Sequence, residues 1–177
     1  YNNIISVTAL GQNNSWNHWA TYHQTVDLAS PGESIQSCVN NGSGYSSWNG
    51  TSMATPVAAS VAGLMKSLYP NWNKEQIKTM IIATADPIIY EVNPESSIQG
   101  KLGSGRVDAL NAVITPLFPK IELTKIDLYI QNDYNNEINI GETIELIGIF
   151  LNNPEWGIAT NPSIAVSCNS NNINVIN

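Results

Sequence analysis

One serine stands in a local sequence that could make it a nucleophile. Ser52 lies in the run Gly-Thr-Ser-Met-Ala-Thr-Pro at residues 50–56, directly before a long, almost wholly apolar stretch that predicts a helix. Gly50 allows close approach of the backbone, and Pro56 is expected in the first helical turn, where proline is tolerated. The backbone N–H of Ser52 would then lie at a helix N-terminus, where unpaired N–H groups and the helix dipole stabilise an oxyanion. Thr51 and Met53 complete this predicted nucleophile turn.

The alternative is that Ser52 only caps a core helix, since serine is a common N-cap residue. A serine hydroxyl is a weak nucleophile at neutral pH and needs an adjacent base. The chain has two histidines, His18 and His23. Both lie in a polar segment rich in aromatic residues and are predicted to be loop or surface histidines. Five aromatic residues could line a cleft near the serine, or could close the edge of a core: Trp16, Trp19, Tyr22, Tyr45 and Trp48.

The elements around Ser52 alternate between strand and helix as far as Val113, which predicts an α/β fold with a parallel sheet and helices on both faces. Short apolar runs predict strands at 4–10, 25–29 and 34–39, and a loop rich in Gly, Ser and Asn follows at 40–49. The Ser52 helix is predicted to run to about Tyr69 and, being apolar around most of its circumference, to be buried. Asn73 caps a second predicted helix, and a loop at 87–105 leads to a last short helix at 108–114.

The composition changes at residues 116–119, where two closely spaced prolines predict a linker. Beyond it, four extended apolar runs replace the helical pattern, at 121–130, 143–151, 163–168 and 173–176. The predicted organisation is an α/β portion at 1–115, a linker at 116–119 and an incomplete β-sandwich at 120–177, since a complete sandwich of this type needs about 100 residues.

Overall composition excludes several classes of protein. Hydrophobic residues make up 42% and charged residues 12% of the 177 residues, as in a globular protein with a core. The net charge of −7 argues against binding to a phosphate backbone, so no nucleic-acid partner is expected. No apolar run is long enough to span a membrane.

The cysteines and acidic residues predict no metal site and no cofactor. Cys38 and Cys168 lie on opposite sides of the linker and are expected to be separate thiols, without zinc-type spacing. Asp133, Asn135 and Glu137 alternate as calcium ligands can, but Ile138 stands where such a loop needs glycine. A solvated turn between strands explains these charges better.

The run at 50–56 resembles the nucleophile motif of the subtilisin-like serine proteases (subtilases), and the resemblance continues on both sides of it. Upstream, 4–9 and Val-Asp-Leu-Ala-Ser-Pro-Gly at 26–32 resemble a strand and an "Asp-Leu-Ala-Ala-Pro-Gly" segment of the family. Downstream, Tyr-Pro-Asn-Trp at 69–72 and Gly-Ser-Gly-Arg-Val-Asp-Ala at 103–109 resemble its closing elements. The matches cover about two thirds of the chain and imply a three-layer, parallel-sheet domain.

The resemblance implies a serine endopeptidase that acts on proteins or peptides and is secreted. In this family the triad aspartate, the histidine and an oxyanion asparagine precede the serine, and none of their motifs occurs here. The chain is therefore expected to be the C-terminal part of the catalytic domain, with negligible activity alone. Structural calcium elsewhere in the parent is implied by the family only. The sequence at 139–146, with Asn152 and Asn153, resembles immunoglobulin-like modules appended to secreted proteases.

Two other functions stay open at this point. The chain could belong to a catalytically dead relative that keeps the fold as a scaffold or binding protein, in which case the upstream region would lack the aspartate, histidine or asparagine. Alternatively, the β-sandwich could be the functional end and bind a cell surface or polymer, with the protease part ancillary.

Overall fold

The computed structural model describes residues 3–40, 44–130 and 143–163. The chain divides into two units, Tyr1–Pro116 and Leu117–Asn177. The strands of the described part are β1 Val7–Leu10, β2 Leu28–Pro31, β3 Ile35–Cys38, β4 Tyr45–Trp48, β5 Ile121–Ile130 and β6 Ile144–Asn152. Its helices are α1 Thr51–Leu68, α2 Lys74–Ala83, α3 Ile89–Val92 and α4 Ala109–Ile114.

The first unit is built on β1 and β2, which pair in parallel with Val7 opposite Leu28. Arg106 extends this pair through two isolated β-bridges. It pairs in parallel with Ala29 and in antiparallel with Asp86. Strands β3 and β4 form a separate antiparallel hairpin with Ile35 opposite Trp48. Strand β3 lies within the strand predicted at 34–39, but β4 lies in the loop predicted at 40–49, and that prediction was wrong for β4. Its Tyr-Ser-Ser-Trp sequence carries little apolar periodicity, so cross-strand pairing with β3 decides its conformation.

The two faces of the β1–β2 pair are covered by different elements. On one face, Ala9 packs with Ala54 of α1. On the other, a cluster of buried side chains joins the sheet to α3 and the segment after it: Leu10, Ala29, Ile89, Ile98 and Leu102. The α/β prediction is thereby confirmed in its coarse form. The expected loop at 87–105 nevertheless contains α3, because burial of Ile89 stabilises one short helical turn there.

Helix α1 is buried along one side only, so the prediction of a buried helix was wrong for its other side. Its buried residues are Ala54, Ala58, Val61 and Met65. Leu64 and Leu68 are 46% and 54% exposed. Within the described residues, the elements that α1 contacts are β1, β2, α2 and α4. An apolar face in the sequence permits burial, but only a packing partner produces it.

Helices α2 and α4 begin where the sequence predicts. Asn73 caps α2 through a reciprocal capping box, in which its Oδ1 accepts from the Gln76 N–H at 3.0 Å and Gln76 Oε1 accepts from the Asn73 N–H at 2.7 Å. Asp108 caps α4 by accepting from the Asn111 N–H at 2.9 Å. In α2, Met80 and Ile81 are buried, in agreement with the helical spacing of its apolar residues.

The second unit contains the antiparallel pair β5–β6, with Ile121 opposite Asn152 and an irregularity between Leu123 and Lys125. The predicted strand at 173–176, and that at 163–168 except for its first residue, lie outside the described residues, as do the acidic turn at 133–137 and Cys168. Cys38 is a free, exposed thiol. In the part of the chain that the structure describes, no helix combines the length and apolarity needed to cross a bilayer.

Candidate active site

Ser52 is the second residue of α1, two positions after the cap residue, so the alternative that it only caps the helix does not hold. Gly50 is the N-cap residue, and its carbonyl accepts hydrogen bonds from the backbone N–H groups of Met53 at 3.0 Å and Ala54 at 3.1 Å. The N–H of Ser52 has no hydrogen-bond partner among the described residues. An unpaired N–H at the start of an 18-residue helix is a donor for an anion, because the aligned peptide dipoles give this end partial positive charge.

The side chain of Ser52 is exposed and lines an open depression in the protein surface. The other residues of this depression are Ser47, Trp48, Asn49, Gly50 and Met53. No described residue makes a hydrogen bond with the Ser52 hydroxyl. The structure therefore brings together an accessible serine Oγ and a free N–H of the same residue, and it leaves room for a substrate above both.

The N-terminal turn of α1 is attached to the ends of β1 and β2 by backbone hydrogen bonds. The N–H of Gly50 donates to the carbonyl of Gly32 at 2.8 Å, and the N–H of Gly32 donates to that of Leu10 at 2.9 Å. Gly32 must be glycine here, since an added Cβ would lie 2.6 Å from Ala9 Cβ and 2.8 Å from the Gly50 oxygen. The parallel strands thus determine the position at which Ser52 is held.

The other residues of the predicted nucleophile turn have distinct roles. Thr51 opens the helix, and its carbonyl accepts from the Thr55 hydroxyl at 2.9 Å. The Met53 sulfur lies 3.3 Å from the place a Gly50 Cβ would take, so Gly50 is closely packed there. Pro56 is the sixth helical residue, and its predicted place in the first turn was wrong, because α1 begins at Thr51. Having no N–H, Pro56 cannot donate to the Ser52 carbonyl.

The two histidines lie away from the depression, as the sequence predicts for loop residues. His18 is exposed and stands edge-on to Trp16, with ring centroids 5.2 Å apart. His23 is exposed, and its Nδ1 lies 2.8 Å from the Thr25 hydroxyl. Neither residue lines the depression around Ser52. The described residues therefore supply no histidine base to this serine.

The side chain of Asp27 is bound by Ser6 and Lys78, and none of its hydrogen bonds or ion pairs involves Ser52. Its Oδ2 accepts from the Ser6 N–H at 2.8 Å and lies 3.8 Å from Lys78 Nζ. Lys78 in turn donates to the carbonyl of Ile4. These contacts join the segment before β1, the residue before β2 and helix α2. The strand predicted at 25–29 includes Asp27, but β2 begins at Leu28 and leaves Asp27 just outside it.

Sequence reasoning missed two residues of the site, Gly32 and Asn49. Gly32 belongs to the Asp-Leu-Ala-Ser-Pro-Gly segment, and its spacing from Ser52 gives no sign that the two segments meet. Asn49 lines the depression, and its side chain accepts from the Ser34 N–H at 2.7 Å. The only sequence signal for Asn49 was its place directly before Gly50.

The aromatic residues divide between the two roles that the sequence left open. Trp48 lines the depression. Trp16 packs against both core clusters of the first unit and closes a core edge. Trp19, Tyr22 and Tyr45 are 47%, 42% and 69% exposed and do not line the depression.

The described residues do not fit a metal ion. They contain no group of three or more His, Cys, Asp or Glu side chains that could hold one. Asp133, Asn135 and Glu137 lie outside the described residues. The calcium implied by the family resemblance has no donor set here, and no step of the chemistry is assigned to it.

Comparison with known proteins gives a consistent result for the first unit. The model of the peptidase S8 family, described as the subtilase family, matches residues 1–112. Alkaline elastase YaB from a Bacillus species is 44% identical over 85 residues, which are 48% of this chain and 22% of that protein. Halolysin from Haloferax mediterranei is 36% identical over 115 residues, 65% of this chain and 21% of halolysin.

Solved structures agree with these relatives. A protease from Pseudoalteromonas arctica superposes with a TM-score of 0.54 and 29% identity, over 63% of this chain and 35% of that one. The chain thus spans about a fifth of the curated relatives named here and about a third of this structure. With the serine turn, the strands that hold it and the family match all in the first unit, the chain belongs to the subtilase family of serine proteases.

Proposed function

We propose that this chain is the serine-bearing part of a longer, subtilisin-like serine endopeptidase in which Ser52 is the nucleophile. The observation that carries the proposal is the pairing of an exposed hydroxyl with an unpaired backbone N–H on Ser52, at the start of α1 and within one open depression. Membership of the subtilase family and the small share of its relatives that the chain spans support it.

In the proposed reaction, Ser52 Oγ attacks the carbonyl carbon of the scissile peptide bond and its proton passes to a base. The tetrahedral intermediate carries a negative oxygen, to which the Ser52 N–H donates a hydrogen bond at the positive end of α1. Collapse of the intermediate breaks the C–N bond, the base returns the proton to the leaving amine, and an acyl ester remains on Ser52. Water then hydrolyses this ester.

The base, the aspartate that orients it and a second oxyanion donor are proposed to come from parts of the protein outside this chain. This follows from the absence of a histidine near Ser52 in the described residues. Without a base the hydroxyl is a weak nucleophile. The isolated chain is therefore proposed to have negligible peptidase activity.

Three finer proposals are made, two from family membership and one from the strands of the second unit. The substrates are proteins or peptides, as implied by the names of the relatives, which include an elastase and alkaline proteases. The full-length protein is secreted, which its recovery from the culture medium would test. Residues 120–177 begin an immunoglobulin-like β-sandwich. The support for this is the antiparallel pair β5–β6, on which Leu123 and Leu146 are exposed. A structure of a longer chain in which no second sheet covers Leu123 and Leu146 would contradict it.

The main test is labelling by a fluorophosphonate, which reacts covalently with an activated serine, together with cleavage of casein. Ser52→Ala in the full-length protein should abolish labelling and lower kcat by about 10⁶-fold, the loss known from removing the nucleophile of subtilisin itself. The matched control is Ser67→Ala, an exposed serine in the last turn of the same helix, which should leave both unchanged.

Three results would contradict parts of the proposal. Undiminished labelling of Ser52→Ala would mean that another residue is the nucleophile. A wild-type full-length protein that neither reacts with the probe nor cleaves casein would support the alternative of a catalytically inactive relative. Cleavage of casein by the 177-residue chain alone would refute the proposed origin of the base.

A further inference from the structure

The residue before the nucleophile turn makes an unusual connection with its side chain. Asn49 is exposed, yet its Oδ1 accepts a hydrogen bond of 2.7 Å from the backbone N–H of Ser34, 15 residues earlier. The next residue, Gly50, donates its own N–H to Gly32 at 2.8 Å. Two adjacent residues are thus tied to the same corner between β2 and β3, one through a side chain and one through the backbone.

The corner at residues 32–34 is itself held on several sides. The Gly32 N–H donates to the Leu10 carbonyl at 2.9 Å. The Glu33 carboxylate accepts from Asn17 Nδ2 at 3.1 Å, which ties the corner to the loop after β1. Ser34 has a φ of 56°, a left-handed conformation uncommon for a residue with a side chain. The corner is therefore a fixed point to which the turn can be attached.

Gly50 is the place where this attachment matters. It joins strand β4 to helix α1, and a glycine offers little steric resistance to rotation about its φ and ψ. The β3–β4 pairing ends at Trp48, opposite Ile35, and the Gly50–Gly32 bond holds the residue next to the helix. The Asn49–Ser34 bond lies between these two attachments and restrains the one residue that separates strand β4 from Gly50, and so restricts the direction of the Ser52 hydroxyl and N–H.

We propose that Asn49 is a positioning residue for Ser52 and acts through its hydrogen bond to the Ser34 backbone. This inference rests on the proposed function, since positioning is expressed in the reaction of Ser52. A misplacement of about 1 Å can cost a reaction about 10²-fold. Loss of the Asn49–Ser34 bond, with the other attachments kept, is expected to cost less than a full misplacement of about 1 Å and to lower kcat by about 10-fold, while KM changes less than about twofold.

The test compares three variants. Asn49→Ala removes the acceptor, and Asn49→Asp keeps an oxygen that can accept from Ser34. The control is Gln36→Ala, which lies on the paired strand β3 of the same hairpin, is exposed, and does not line the depression. In the 177-residue chain, amide hydrogen exchange at Ser34 and the resonance of the Ser52 amide are measured by NMR. In the full-length protein, kcat and KM are measured with a peptide substrate.

The expected result is faster exchange at Ser34, a shifted Ser52 amide resonance and a lower kcat for Asn49→Ala, with recovery in Asn49→Asp and no change in Gln36→Ala. An unchanged kcat, or a rise in KM alone, overturns the inference, since the latter would mean that Asn49 contacts substrate. If the wild-type full-length protein is inactive, the proposed function fails. The NMR arm then decides the inference by itself, and unchanged Ser34 exchange with an unchanged Ser52 resonance overturns it.

Discussion

The substitution Gly32→Ala would place a methyl group between the β1–β2 pair and the first turn of α1. Its Cβ would lie 2.6 Å from Ala9 Cβ, 3.0 Å from Ala54 Cβ and 2.8 Å from the Gly50 oxygen. Carbon atoms in favourable contact are about 3.5–4.0 Å apart, so strand and helix must separate by roughly 1 Å. None of the three neighbours is the end of a flexible side chain that could rotate away.

The expected cost is that of overpacking a core, about 1–3 kcal/mol of the free energy of unfolding. Hydrogen exchange of the α1 amides measures this for the first unit alone. The matched control is Gly63→Ala in the same helix, where an added Cβ meets no atom within 4 Å. Replacing a helical glycine by alanine is expected to stabilise by about 0.5–1 kcal/mol, so one kind of substitution should give opposite signs at the two positions.

The separation should also displace Ser52. The added methyl group lies against Gly50, whose N–H donates the 2.8 Å hydrogen bond to the Gly32 carbonyl that holds the serine turn. In the full-length protein, kcat of Gly32→Ala is expected to fall by about 10²-fold, the cost of a misplacement of about 1 Å. A Gly32→Ala protein as stable and as active as the wild type would refute the reasoning, since it would show that the close contact of Gly32 with α1 does not hold the serine turn.

Three further predictions concern other parts of the first unit. Asn73→Ala removes one half of the α2 capping box and should cost about 1 kcal/mol in urea unfolding, whereas exposed Asn71→Ala should cost nothing measurable; equal stabilities would contradict the role of the cap. Met65→Ala, at a fully buried side chain, should cost about 2–5 kcal/mol, and Leu68→Ala, 54% exposed, should cost less than about 1 kcal/mol in this chain; the reverse order would mean that the other face of α1 is packed. Oxidation of Met53, which lines the depression beside Ser52, adds a polar oxygen there and should lower the activity of the full-length protein; unchanged turnover after stoichiometric sulfoxide formation, measured by mass spectrometry, would count against it.

Local sequence predicted helices α1, α2 and α4 and the residue that could react, whereas α3 lies in a predicted loop. The run at 50–56 followed by apolar residues predicted α1, and Asn73 predicted the start of α2, because helix formation and capping depend on residues within one or two turns. The strands were predicted with shifted ends: 4–10 is reduced to Val7–Leu10, and 25–29 is replaced by Leu28–Pro31. A strand ends where its partner ends, and the partner is distant in sequence.

Only the tertiary structure decided what surrounds Ser52 and what covers α1. The hydrogen bonds from Gly50 to Gly32 and from Ser34 to Asn49 join segments more than ten residues apart, and neither Gly32 nor Asn49 specifies its distant partner by its residue type. The exposure of Leu68 could not be predicted from the sequence either, since an apolar side chain is buried only where another element packs against it. The sequence by itself thus predicted which group could attack, through a short motif and its helix, whereas the packing of separate strands determined where that group is held.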